Sequence, residues 1–530
     1  MRKSLVHRSH ARRSWAGGRH VTAVLAPALV SLYLALVVPA GATDLVRPRD
    51  LGFLIGLTVA VAAAGWALGY LLNRNARKAA VVSLLLVTAF ATFGYVHRLL
   101  TSARGSWVAR EPVQLLVYVL VLSAALLVIR RSGRGFGRFL EFCSILGVLL
   151  VGVTGARLAG KIHRSDTTPL ALRASTIRAT DGPSAPPPDI YLIVPDKYTG
   201  SALLRANYGF DNSGFVRELE RRGFVVPPAA RANYTHTFLS LASMLNLRYL
   251  DDLPGRLGVA NDDWTATYPM IEGNELAAFL KGRGYDFIFF PTAFGATRQN
   301  RFADRQLPSP DEIRSELVTA WYRTTAIPAL RRLCRKLGCP PGPPYVPETA
   351  EMLNWKLQQL GHLERRGKPL FVIAHLTMPH EPYLFRSDCS ARPEYWPERD
   401  DGRDSAEVKA AYLEQISCAN RKLLAVVDSI LAHSPRPPVI LIQADHGHGR
   451  LGRQLPPLDA APATQVVERV SVFAAYHLPG VPRDAVADSV TPINVLRLVL
   501  RTYFLADLPP LPDASYWSSA ARPYDFTGVR

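Results

Sequence analysis

Five apolar runs in the first third of this 530-residue chain constrain its fold more than any other feature. They lie at about 21–42, 51–72, 79–95, 113–129 and 139–159, close to the ~20 residues that carry a helix across a bilayer. A soluble domain can bury one such run. Five in succession, separated by short basic loops, predict an N-terminal α-helical transmembrane bundle of about five spans.

The basic residues set its orientation, because Lys and Arg collect in cytoplasmic loops. Six precede the first run (Arg2, Lys3, Arg8, Arg12, Arg13, Arg19), three follow the second (Arg74, Arg77, Lys78) and four follow the fourth (Arg130, Arg131, Arg134, Arg138). The alternate loops hold only Arg47 and Arg49, then Arg98, Arg104 and Arg110. The N-terminus is therefore expected in the cytoplasm, and everything after the fifth run outside. The localisation this implies is a multi-pass protein of the inner or plasma membrane with an extracytoplasmic domain. Ala40-Gly41-Ala42 has the small-x-small form of a signal-peptidase site, and cleavage there would leave four spans and the same external domain. Residues 1–164 hold 21 Lys and Arg against four acids, a net of +17 out of the chain's +19. A nucleic-acid binder would concentrate that charge on its folded domain. Here it flanks apolar runs, so the expected partner is a membrane and not nucleic acid.

The expected organisation is a basic N-terminus (1–20), a transmembrane domain (21–160), a linker (161–188) and a folded external domain (189–530). The linker ends in Asp181-Gly-Pro-Ser-Ala-Pro-Pro-Pro, which favours extended chain. Beyond it, short β-rich segments at 189–194, 285–290, 370–376, 439–443 and 470–476 alternate with helical patterns at 213–222, 237–247, 274–282, 350–366 and 406–433. Near-continuous apolar strands between amphipathic helices predict an α/β domain with a mainly parallel central sheet covered on both faces. The loop-rich stretch 304–349 is the least readable part. Cys334, Cys339, Cys389 and Cys418 fall in the external segment, where an even count suits disulfides. Local pairing would join Cys334 to Cys339 and Cys389 to Cys418.

Ligands of open α/β sheets gather beyond the carboxyl ends of the strands, and three strand ends carry suggestive residues. Asp445-His446 follows the strand at 439–443, and a carboxylate with an imidazole can share one divalent ion, zinc or manganese by donor type. Asp196 follows the first strand, where Asp is also a common turn former. Lys197 and His448 read as solvated side chains. His375 and His380 bracket a Pro-bearing loop, and imidazole there can ligate a metal or hold a phosphate oxygen or a leaving group. The stretch from Asn233 to Asn246 offers hydroxyls at a helix start, where the N-terminal field favours an anion. The residues alone do not choose between Thr235, Thr237 and Ser240, nor separate a nucleophile from a plain N-cap.

The stretch from Pro188 to Tyr198, the Thr-bearing helix start, His375-x4-His380 and Asp445-His446-Gly447 resemble, in that order, the sulfatase-like hydrolase and transferase family of the alkaline phosphatase superfamily. Its membrane-bound branch includes lipoteichoic acid synthases and phosphoethanolamine transferases, which also place five spans before an external catalytic domain. The resemblance implies an alkaline-phosphatase-like fold, Thr237 as nucleophile, a divalent metal held by Asp196, Thr237, Asp445 and His446, and His375 and His380 on the substrate side. It implies a phosphothreonine intermediate, a membrane phospholipid donor and an envelope lipid or glycan acceptor. No Cys-x-Pro-x-Arg or Ser-x-Pro-x-Arg stands at the nucleophile, which disfavours sulfate-ester hydrolysis. No histidine lies about a dozen residues past His446, so one metal is expected. The alternatives are a membrane-tethered hydrolase and a non-catalytic envelope scaffold.

Overall fold

The computed structural model of the protein describes residues 6–42, 46–102, 111–133, 135–166, 174–180, 187–309, 316–338, 348–392, 406–449 and 455–529. They form two compact units, Met1–Thr167 with Arg314–Tyr345, and Thr168–Ile313 with Val346–Arg530.

The first unit is helical: α1 (Val6–Gly41), α2 (Pro48–Asn73), α3 (Ala76–Ser102), α4 (Glu111–Arg131) and α5 (Gly137–Asp166). Each contains a segment long and apolar enough to cross a membrane. Small residues set the spacing between these helices, as expected where no hydrophobic effect drives apolar helices together. A Cβ on Gly69 would stand 2.8 Å from the Ala79 Cα, and one on Gly147 would stand 2.7 Å from the Leu29 Cβ. The Ser83 hydroxyl donates to the Ala62 carbonyl at 2.7 Å, and Ser31 and Thr58 bond back into their own helices, so buried hydroxyls are satisfied internally.

Two further helices, α6 (Glu316–Tyr322) and α7 (Ile327–Lys336), belong to the same unit. Sequence reading left them as irregular chain inside 189–530. Their cause is tertiary, since Leu317, Val318 and Trp321 are buried against Ala35 and Leu54, contacts that no short window of sequence reveals. The linker residues 167–173 and 181–186 and Cys339 lie outside the described residues.

The second unit is built on a seven-stranded sheet in the order β2-β7-β6-β1-β5-β3-β4. Its strands are β1 (Ile190–Pro195), β2 (Phe224–Val225), β3 (Asp286–Phe290), β4 (Arg305–Gln306), β5 (Leu370–Leu376), β6 (Val439–Gln443) and β7 (Ala474–His477). The central pairs are parallel. β7 runs antiparallel to β6, and β2 to β7. β1, β3, β5 and β6 are buried at every position, which is why they read as unbroken apolar runs. A small hairpin, β8 (Ser515–Trp517) and β9 (Thr527–Val529), lies apart from the sheet.

Four of the five expected strands stand within a residue of their sequence positions. The fifth starts later, because Ala463–Val470 is a helix with Val466 and Val470 buried. Sequence reading also missed the helices Ser201–Tyr208 and Pro492–Phe504. Cys389 and Cys418 form the expected disulfide, pinning the loop after β5 to the helix Ala406–His433. Cys334 is also disulfide-bonded.

Candidate active site

Strand register builds the centre of the site. Ile193 on β1 is level with Ile442 on β6, and three residues further along each parallel strand stand Asp196 and Asp445. Neighbouring strands lie about 4.8 Å apart, so the two carboxylates face each other at the carboxyl edge of the sheet. On the other side, β5 sets His375 level with Val194. The His375 Nε2 lies 3.3 Å from an Asp196 oxygen, without hydrogen-bond alignment, and its Nδ1 meets the Thr297 hydroxyl at 2.9 Å.

Asp445 is held by two backbone amides, from Lys197 at 3.1 Å and His446 at 2.8 Å, both donating to Oδ1. Its Oδ2 lies 3.4 Å from His446 Nε2. The His446 Nδ1 lies 3.0 Å from the Gly447 carbonyl. A proton on Nδ1 donates there and leaves a lone pair on Nε2, the tautomer a metal requires. Gly447 has a steric reason: a Cβ would come within 2.0 Å of the Glu468 carbonyl oxygen.

Donor atoms of Asp196, Asp445 and His446 all lie within 4.8 Å of one another. Among the described residues, Asp196 Oδ1 and Asp445 Oδ2 are buried without a hydrogen-bond partner. Buried carboxylate oxygens are costly to leave unpaired, and a divalent cation between them meets that deficit. The electrostatics agree. Burial, then the Asp196 charge, push Asp445 up to about 6. Burial also acts to raise Asp196, but His380, His375 and His446 outweigh it and hold that carboxyl below the usual range. Burial first and the Arg469 guanidinium second hold His446 well below the imidazole range, so it is neutral. The donor set, two carboxylates and a neutral imidazole, fits zinc or manganese.

The three candidate hydroxyls have different surroundings. The helix Thr237–Leu245 begins after His236, and no side chain caps it. Thr237 is its first residue, part-exposed, with Oγ1 3.1 Å from His446 Nε2. The Ser240 hydroxyl is buried and donates to the Asp445 carbonyl at 2.7 Å. The Thr235 hydroxyl is buried with no hydrogen-bond partner among the described residues.

His380 is part-exposed, and its backbone amide donates to the Asp196 carbonyl at 3.1 Å. Two readings of solvated side chains are corrected here. Lys197 is buried and its Nζ pairs with Glu381 at 2.8 Å. His448 is buried, stacked 4.2 Å from the Tyr412 ring and 3.0 Å from the Tyr208 hydroxyl. Neither appears in the periodicity, because both follow strand ends that fold inward. Sequence reasoning missed Arg469 altogether. It is buried, its Nη2 stands 3.2 Å from His446 Nε2, and its Nε donates to the Thr235 carbonyl at 2.9 Å. At the end of a short amphipathic helix it has the signature of an ordinary surface arginine.

One helix, Ala406–His433, fastens the loops that carry these groups. The Tyr412 hydroxyl donates to the Lys197 carbonyl at 2.9 Å, Asn420 accepts from the Tyr198 hydroxyl, and Gln415 donates to the His380 carbonyl at 2.9 Å.

No protein-family model matches the sequence, and no curated protein matches it. Among solved structures the chain is similar to the C-terminal periplasmic domain of EcEptC from Escherichia coli in complex with Zn, at 11% identity and a TM-score of 0.43 over 68% of this chain and 96% of that one. It is also similar to the integral membrane protein lipooligosaccharide phosphoethanolamine transferase A from Neisseria meningitidis, at 12% identity and a TM-score of 0.40 over 90% and 95% of the two chains. A protein of the alkaline phosphatase superfamily from Vibrio parahaemolyticus matches at 13% identity and a TM-score of 0.40, over 70% and 82%. At these scores the site's own atoms carry the functional reading.

Proposed function

We propose that this chain is a membrane-anchored, metal-dependent phospho-group transferase of the sulfatase-like family. It would move a phosphoethanolamine- or phosphoglycerol-type group from a membrane phospholipid to an envelope lipid or glycan on the extracytoplasmic side. The observation that carries the reading is the part-exposed Thr237 hydroxyl, at a helix N-terminus and 3.1 Å from His446 Nε2, beside two buried carboxylates with unpartnered oxygens.

Asp196, Asp445 and His446 would hold the metal, with Thr237 beside it. When bound, such an ion lowers the pKa of a neighbouring hydroxyl and offsets charge on a phosphoryl oxygen. The Thr237 hydroxyl gives up its proton to water and Oγ attacks the donor phosphorus, forming an Oγ–P bond as the bond from phosphorus to the lipid alkoxide breaks. The alkoxide takes up a proton, and His380, the more exposed of the two loop histidines, is assigned to that side of the site. His375 is assigned to the same side, with its Nε2 3.3 Å from an Asp196 oxygen. An acceptor hydroxyl then loses its proton to water and attacks phosphorus, the P–Oγ bond breaks, and Thr237 Oγ takes up a proton to restore the hydroxyl. Arg469, held by the Thr235 and His448 carbonyls with Nη2 3.2 Å from His446 Nε2, would supply a fixed positive charge beside the metal ligands.

A non-catalytic scaffold would have no reason to keep buried carboxylate oxygens unpaired around a part-exposed hydroxyl. The deciding experiment is mass spectrometry of envelope lipids and glycans from cells with and without the protein. Loss of one phospho-substituent is expected. An unchanged envelope, together with release of the headgroup to water from a labelled phospholipid, would establish a hydrolase instead.

A further inference from the structure

We propose that α6, α7 and the turn between them form an interfacial membrane hairpin, through which the chain of the α/β unit returns to the bilayer between β4 and β5. The inference is independent of the reaction assigned to Thr237. It rests on three observations within the helical unit.

The first is how the turn is fastened. The Gly94 amide of α3 donates to the Thr324 carbonyl, and the Ala326 amide donates to the Phe90 carbonyl of α3, both at 2.8 Å. A Cβ on Gly94 would come within 2.0 Å of the Arg323 carbonyl oxygen, so glycine is what admits this backbone pairing. The apolar span of α3 runs to Leu100. Gly94 is therefore about 9 Å inside its end at 1.5 Å per residue, and the turn reaches the same depth.

The second is that the turn carries its own hydrogen-bond partners. The Thr324 hydroxyl donates to the Trp321 carbonyl at 2.8 Å, and the Thr325 hydroxyl donates to the Tyr322 carbonyl at 2.7 Å. Both threonines are buried. Irregular backbone at membrane depth is tolerated only where protein satisfies its polar groups in this way.

The third is what α7 turns outward. Leu330 and Leu333 of α7, and Leu337 in the turn just after it, are 50%, 43% and 75% exposed; the Leu337 amide donates to the Leu333 carbonyl at 3.1 Å, so the spacing of three and four keeps all three on one face. In water that is an inverted helix. In the helical unit it is the rule, since α4, against which α7 packs, exposes Leu116, Val119 and Leu120 likewise. The leucine stripe continues the lipid-facing surface of the spans, and its occupant is lipid acyl chain in the leaflet at the C-terminal end of α3. By the distribution of Lys and Arg that leaflet is the outer one, on the side of the α/β unit.

The test uses the unmodified full chain in phosphatidylcholine nanodiscs containing a lipid with a diazirine in its acyl chain. After photolysis, peptides spanning 327–338 should carry lipid adducts, as peptides of α4 do. Hydroxyl-radical footprinting of the same sample should oxidise Val259, an exposed residue of the α/β unit, and spare Leu330, Leu333 and Leu337. Adducts on α4 without adducts on 327–338, or oxidation of the three leucines to the level of Val259, would overturn the proposal. Either result would leave the reading of Thr237 untouched.

Discussion

Thr235, Thr237 and Ser240 lie within six residues, yet Thr235 precedes the helix and the turn of about 100° per residue separates Thr237 from Ser240 within it, so all three meet different surroundings. Ser240 is occupied with the Asp445 carbonyl, Thr235 is buried, and Thr237 alone is part-exposed beside His446. Thr237→Ala should fold, keep its metal and lose turnover by orders of magnitude, whereas loss of an N-cap would cost only about 1 kcal/mol of stability. Peptide mapping of trapped wild-type enzyme should place phosphate, with any retained substituent, on Thr237. An adduct on Thr235 or Ser240 would reassign the nucleophile. Asp445 faces Asp196 across one strand spacing, so Asp445→Ala should abolish bound metal, measured by elemental analysis, while the protein stays folded and membrane-inserted. Full metal occupancy in that variant would remove Asp445 from the ligand set. Asp445-His446 was legible in the sequence because it ends an apolar strand. Arg469 was not, since the neighbours that bury it come from Thr235 and from His446 to His448.

At the scale of elements, the site depends on how closely the loop after β6 approaches the helix Ala463–Val470. A Cβ on Gly447 would come within 2.0 Å of the Glu468 and 2.5 Å of the Ser471 carbonyl oxygen, so Gly447→Ala should push Asp445 and His446 away from Asp196. Metal affinity should fall well beyond any change in the urea midpoint of the metal-free protein, and equal titration curves for variant and wild type would refute this. The antiparallel edge gives a pH prediction. His477 on β7 is part-buried, and burial lowers its pKa even though its Nδ1 meets the Pro438 carbonyl at 2.7 Å. A histidine whose folded pKa lies below its unfolded value of about 6.5 contributes stability that is full above that pH and lost as pH falls below it. The wild-type urea midpoint should therefore fall further between about pH 7 and about pH 5 than that of His477→Gln. An unchanged slope would show that other groups set the acid limb.

For the whole molecule, the asymmetry of Lys and Arg predicts that a reporter fused near Pro186 behaves as exported; activity only in the cytoplasm would reverse the topology. The five apolar helices, four of the strands and the Cys389–Cys418 pair are local properties, a run of composition, an unbroken apolar segment or a short separation, and the sequence by itself determined them. It also determined which residues end the strands. Only the tertiary structure decided that parallel register sets Asp196 and Asp445 side by side, that Lys197 and His448 fold inward, and that Arg469 joins them. It likewise decided that 316–338 packs with the apolar helices. Each of these depends on partners far apart in the chain, and a side chain's surroundings are set by those partners and not by its neighbours in sequence.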